Sequence, residues 1–216
     1  MAAIPGFLHL YTSKDFFTIS LVQVLAAWTS VAVSNYASPS ISLMTRSVGS
    51  LRLFCLVFSV LCFTLIRIKS RIKLTAFQVI KLIIMVFGSA AIFHVIAILF
   101  GASISEQSEE TFYWALLMSH LVILPACSLL GAQLDLIPRI FFSTWSDATP
   151  EAYFQCSIIF TLIGTWLGAF PIPLDWDRPW QVWPIPCVIG AIVGYIVGLV
   201  ISTVTFALNE ERFRPR

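Results

Sequence analysis

The sequence predicts an all-α integral membrane protein, a compact bundle of about six transmembrane helices joined by short loops. Three observations predict it. Hydrophobic residues make up 58% of the 216 and charged residues 11%, against about 25% charged in a soluble domain, and the mean hydropathy is +0.90. So few charges do not cover a water-exposed surface. Five uncharged runs reach the roughly 20 residues that cross a bilayer core, and a sixth comes close. The longest connection between them, Asp135 to Glu151, has seventeen residues, too few for a soluble domain.

The first span is Phe16 to Ala37, without a charge. The second is shorter: Leu53 to Ile66 is apolar, and spanning length is reached by starting at Ser47, which puts Arg52 in the first turns. An arginine near a helix end snorkels to the interface. The third, fourth, fifth and sixth spans are residues 82–100, 111–134, 152–170 and 185–208. Together they form a single multi-span membrane domain over residues 1–216. No internal repeat is evident, which gives little support to a transporter built on duplicated halves.

Lysine and arginine set the orientation. In a six-span chain Lys14, Arg67, Lys69, Arg71, Lys73, Lys81, Arg139, Arg212, Arg214 and Arg216 fall on one side. Arg46, Arg52 and Arg178 fall on the other. Ten of the thirteen bases therefore mark the cytosolic side, and both termini belong to it. The loops around Glu106–Glu110 and Asp175–Arg178 then face a lumen. A net charge of +2 gives no reason to expect nucleic-acid binding. The five cysteines lie in or beside apolar runs and their number is odd. They read as buried small hydrophobes, not as a disulfide framework or zinc site. No N-glycosylation sequon occurs, and residues 1–15 do not read as a cleaved signal peptide.

Span six carries Gly190, Gly194 and Gly198, and span five carries Gly164 and Gly168. Glycines four apart share a helix face and admit another backbone closely. They predict packing of spans five and six within the chain or, less often, a contact face for another protein's helix. Gly194→Leu is expected to hurt more than Ala191→Leu, which lies off that stripe. His94 and His120 sit about 9 Å and about 14 Å inside the membrane from the lumenal span ends. An intramembrane histidine is a functional candidate by default. Here the simpler reading is a neutral imidazole satisfied by a helix–helix hydrogen bond, because neither span holds an acid. His9 lies on the opposite side, and no metal site is expected.

The most informative stretch runs Pro171-Ile-Pro173-Leu-Asp175-Trp176-Asp177-Arg178-Pro179-Trp180-Gln-Val-Trp183-Pro184, after Gly164-Thr-Trp166-Leu-Gly168. Four prolines preclude a continuous helix. The tryptophans suit the membrane interface. Asp175, Asp177 and Arg178 could pair locally, bind a headgroup, or contact a partner. With no nucleophile or metal-ligand cluster beside them, they are not expected to be catalytic.

This combination of residues closely resembles the signature of the PIG-F family, multi-span endoplasmic-reticulum proteins of glycosylphosphatidylinositol (GPI) anchor biosynthesis. Phe93-His94-Val95 with Gly101-Ala102, Glu110-Thr111-Phe112, Pro125 with Leu129-Leu130-Gly131, and the glycines of span six resemble the same family in the same order. Serine stands at 103, where the pattern leads one to expect proline. The resemblance covers about residues 93–202. It implies a non-catalytic, cofactor-free subunit in the endoplasmic reticulum membrane. Such a subunit stabilises the large PIG-O-like and PIG-G-like transferases that add ethanolamine phosphate to mannoses of the GPI precursor. Under that reading Trp166, Pro171, Pro173, Asp175, Trp176, Asp177, Arg178, Pro179, Trp180 and Trp183 are the candidate contacts to partner or lipid. The alternatives are a membrane-embedded enzyme on ethanolamine-phosphate lipids, and a lipid conduit along a seam past His94, His120 and Arg52.

Overall fold

The structure, a computed structural model of the chain, describes residues 11–36, 47–70, 72–143 and 149–213, with backbone only for Ser47 and residues 209–213. His9, Arg46, Arg71, Arg214 and Arg216 lie outside the described residues, as does the side chain of Arg212. All of the regular structure described is helical. It comprises α1 (Ser13–Tyr36), α2 (Ser47–Lys69), α3 (Ala76–Leu99), α4 (Ser108–Val122), α5 (Leu124–Leu130), α6 (Leu136–Phe141), α7 (Pro150–Ala169) and α8 (Ile185–Phe213), with one 3-10 turn at Pro179–Gln181. Six segments, with α4 and α5 counted together, are long and apolar enough to cross a membrane.

Several boundaries differ from the expected ones for local reasons. α3 begins six residues before Leu82 because Thr75 caps it. The Gln78 amide donates to the Thr75 hydroxyl at 3.3 Å, and the Gln78 side chain accepts from the Thr75 amide at 3.0 Å. Lys81 is therefore inside the helix, with its ammonium 4.6 Å from the centre of the Phe77 ring. The expected span 111–134 is two helices. Pro125, in the first turn of α5, has no N–H to give the Leu121 carbonyl, and the chain breaks at Ile123. Helix ends at Gly131, whose φ of +92° suits only glycine, so Leu134 lies outside it. The connection after it is not plain loop: residues 136–141 form α6.

The α4–α5 segment is the hub. Of its most apolar window 89% is buried, against 28% for α3, and α2, α3, α7 and α8 all pack on α4. Between apolar helices in lipid there is no hydrophobic gain on association, so close packing and hydrogen bonds carry the assembly. The Ser20 hydroxyl bonds to the Tyr153 and Thr203 hydroxyls, both at 2.5 Å, tying α1 to α7 and α8. The Phe16 ring lies tilted 4.5 Å from that of Tyr153 and 4.3 Å from that of Phe206 in the same place. At the other end of α2, Arg67 donates to the Ser128 and Ile72 carbonyls and to Ser70. The bond to Ser128, with that from the Ser70 hydroxyl to the Leu129 carbonyl, satisfies carbonyls at the end of α5. α3 rests on α4 and α5 and does not pack on α2. Large apolar side chains such as Phe17, Leu25 and Trp28 of α1 and Ile84, Phe87 and Ile92 of α3 face outward.

Candidate functional site: the proline–tryptophan loop

α7 and α8 form the tightest contact in the molecule, and it positions the loop between them. A methyl group on Gly164 would stand 2.2 Å from the Gly190 carbonyl oxygen, and one on Gly190 would stand 2.2 Å from that of Gly164. A methyl on Gly194 would stand 2.2 Å from the Phe160 carbonyl oxygen and one on Gly168 2.3 Å from that of Pro186, and Gly198 lies against Ser157. All five glycines are thus used inside the chain. Ala191, off this stripe, is fully buried too, so leucine there also meets packed atoms.

The loop from Phe170 to Pro184 is compact because one side chain supplies what the prolines remove. Pro171, Pro173, Pro179 and Pro184 have no N–H to donate. Gln181, nearly fully buried, compensates: its Nε2 donates to the Pro171 carbonyl at 2.8 Å and the Leu174 carbonyl at 2.9 Å. Its Oε1 accepts from the Arg178 amide at 2.9 Å. The Leu174 amide also donates to Pro171, and the Gln181 amide donates to Arg178. Asp177 takes a left-handed φ of +46° between them, and the Trp183–Pro184 bond is cis. Aspartate tolerates that backbone conformation better than most residues. Gln181 was not among the expected site residues. The one signal was its place as the lone amide side chain among four prolines.

The loop has an inner and an outer layer. Inside, the Trp183 Nε1 donates to the Thr111 hydroxyl at 3.1 Å, and its ring lies 5.3 Å from that of Trp114. Trp114 donates to Thr165 at 3.3 Å, and Thr165 to the Cys187 carbonyl at 3.1 Å. Phe93 meets Trp114 edge-on at 6.5 Å. This train joins α3, α4, α7, α8 and the loop. Pro171 belongs to the same layer through its carbonyl. Outside, Trp166, Pro173, Asp175, Trp176, Asp177, Arg178 and Pro179 are exposed and Trp180 is half-buried, its ring 6.2 Å from that of Trp176. Asp175, Asp177 and Arg178 form no ion pair among the described residues. Among the described residues the crest therefore presents two carboxylates and a guanidinium without ion pairs, and indole faces, on a backbone held by Gln181.

The two intramembrane histidines are not brought together. His94 stands 6.5 Å from the Phe112 ring, with Nδ1 buried and unpartnered. His120 is buried and its Nδ1 lies 2.6 Å from the Leu116 carbonyl. A carbonyl only accepts, so the proton is on Nδ1. That bond lies within α4, where a helix-to-helix bond was expected. Among the described residues no group of three His, Cys, Asp or Glu converges as for a metal ion. All five cysteines are buried and unpaired.

These features define a polytopic helical membrane protein with a rigid, polar and aromatic crest at one end of the bundle. The chain belongs to the GPI biosynthesis protein family Pig-F, whose sequence profile matches residues 18–203. It is similar to the human GPI ethanolamine phosphate transferase, stabilizing subunit, with 42% identity over 140 residues, 65% of this chain and 63% of that protein. The mouse protein of the same name is 40% identical over 124 residues, 57% of each chain. Glycosylphosphatidylinositol anchor biosynthesis protein 11 of Candida albicans is 40% identical over 114 residues, 51% of this chain and 42% of that one. The matched stretch thus spans less than two thirds of these relatives. No solved structure matches.

Proposed function

We propose that this chain is a non-catalytic stabilising subunit of GPI ethanolamine phosphate transferases in the endoplasmic reticulum membrane. Its partners are large catalytic subunits of the PIG-O and PIG-G kind, both its termini are cytosolic and its crest is lumenal. The observation that carries this reading is the 42% identity to a human protein named as such a stabilizing subunit. The crest supports it in physical terms. Tryptophan and arginine are the residues most often found as binding hot spots, and a backbone already held by Gln181 loses little entropy on binding. Because the glycine seam is filled from within, the contact is assigned to Trp166, Pro173, Asp175, Trp176, Asp177, Arg178, Pro179 and Trp180.

The test is affinity recovery of the transferase on the tagged chain. If Arg178 meets a carboxylate in a partly desolvated contact, Arg178→Ala weakens association by about 2–5 kcal/mol, about 30-fold to several thousand-fold. Asp175→Asn keeps the shape and costs less. Neither change touches the inner layer, so the lone chain melts within about 0.5 kcal/mol of wild type. Transferase abundance falls while turnover per recovered transferase stays normal. Normal recovery with abolished turnover overturns the non-catalytic reading. Protease-accessible tags at both ends in intact microsomes are expected, and a protected tag refutes the orientation.

A further inference from the structure

A groove of about 590 Å³ opens between α2 and α3, which do not pack on each other. Its walls include Ser59 and Phe63 from α2 and Leu82 and Val86 from α3, and its floor includes Tyr113 and His120 of α4. Arg52 stands at one end. It forms an ion pair with Glu109, both side chains about half-exposed, and lies 5.0 Å over the Tyr113 ring. Glu110 follows Glu109 at the start of α4. Arg52 to Thr64, the lining's extent on α2, is twelve residues, or about 18 Å of helix.

We propose that this groove holds one hydrocarbon chain of a zwitterionic, amine-bearing phospholipid, with its phosphate on Arg52 and its ammonium on Glu109. Volume selects a chain over a helix. A helix of about 10–12 Å diameter fills about 1,400–2,000 Å³ along about 18 Å, more than the roughly 1290 Å³ of empty space there even when counted out to the groove's open side. Length agrees: one leaflet of the bilayer core is about 15 Å deep. Charge selects the headgroup. A cation and an anion side by side at the mouth match a phosphate and an ammonium joined by a short linker. A purely anionic headgroup would meet Glu109 and Glu110 unfavourably. A quaternary amine carries the same charge without N–H donors for the carboxylate. The site is separate from the crest and does not depend on the subunit reading.

The experiment is native mass spectrometry of the full chain released from nanodiscs of equal phosphatidylethanolamine, phosphatidylcholine and phosphatidylglycerol. One retained lipid is expected, with phosphatidylethanolamine favoured at least about 5-fold. Arg52→Gln reduces retention about 10-fold, and Ser59→Phe, whose ring blocks the groove at mid-length, reduces it at least as much. A photoreactive diazirine on the acyl chain labels the wild-type chain at residues 59, 63, 82 and 86, a readout that needs no variant to fold. Preference for phosphatidylglycerol, or labelling spread evenly over the outward faces of α1 and α3, overturns the proposal. So does equal retention by a folded Ser59→Phe variant.

Discussion

Two pairs of neighbouring helices in this bundle are built in opposite ways. α7 and α8 touch backbone to backbone, with no room for a single methyl at Gly164, Gly190 or Gly194. α2 and α3 stand apart across an open groove of about 590 Å³. Both pairs are mostly apolar, so hydrophobicity does not separate them. The difference is side-chain size along the facing stripe. Glycines four apart give α7 and α8 a flat surface, and dispersion contacts accumulate along it. α2 and α3 present Phe63 and Leu82 towards the gap. α3 instead gains its hold on α4, where the Ser119 hydroxyl donates to the Val86 carbonyl at 2.5 Å. The tight pair fixes the ends of the loop, while the open pair leaves space for lipid.

The largest break of this comparison is Gly194→Leu. A β-carbon alone would stand 2.2 Å from the Phe160 carbonyl, so α7 and α8 must part along their whole seam. We expect no folded monomer in detergent by size-exclusion chromatography. Gly194→Ala adds only that β-carbon, but against backbone it costs at least about 3 kcal/mol, the upper end of the usual range for overpacking, and less than leucine does. Val193→Leu, on the exposed side of α8, melts as wild type. If Gly194→Leu melts like Val193→Leu, the backbone contact is not there.

The same contrast explains what the sequence made legible. The glycine spacing announces the α7–α8 seam, because four-residue periodicity survives in the linear chain. Long uncharged runs announce the helices, and the proline–tryptophan stretch announces the loop. The break at Ile123 was implicit in Pro125 but hidden within an apolar run that reads as continuous. The groove leaves no such trace. α2 and α3 are consecutive and connected by a short loop, the arrangement that usually means packed neighbours. Their separation depends on both preferring α4. Arg52 was legible as a snorkelling cation, but its pairing with Glu109 joins residues 57 positions apart. The two histidines sat at related depths, yet depth says nothing of azimuth, and they point to different surroundings.

A smaller break falls on the loop. Gln181→Leu removes three hydrogen bonds from a buried position. At about 0.5–1.5 kcal/mol each, the cost is about 2–4 kcal/mol in a thermal or denaturant melt. The amide of Arg178 then exchanges its hydrogen faster. Gln181→Glu is the sharper variant. It keeps the acceptor for Arg178 but turns a carboxylate oxygen towards the carbonyls of Pro171 and Leu174, so both contacts become repulsive. It should cost at least as much as leucine. A neutral outcome for Gln181→Glu would show that Gln181 does not hold the loop.

The smallest effect tests whether the loop is tied to the hub as well as to its own ends. Trp183→Phe retains most of the ring packing on Trp114 but loses the N–H that reaches the Thr111 hydroxyl. Thr111→Val removes the other partner; the Thr111 hydroxyl also donates to the Gln107 carbonyl at 2.9 Å, so its single cost is the larger of the two. Each substitution is expected to cost about 1 kcal/mol. The double variant should cost less than the sum by about 0.5–1 kcal/mol, the coupling expected of residues in contact. That coupling is the quantity to measure, because the single costs mix lost packing with lost bonds. Strict additivity would mean that the Trp183–Thr111 bond contributes nothing, and that Trp183 is tied to the hub by its ring packing on Trp114 instead.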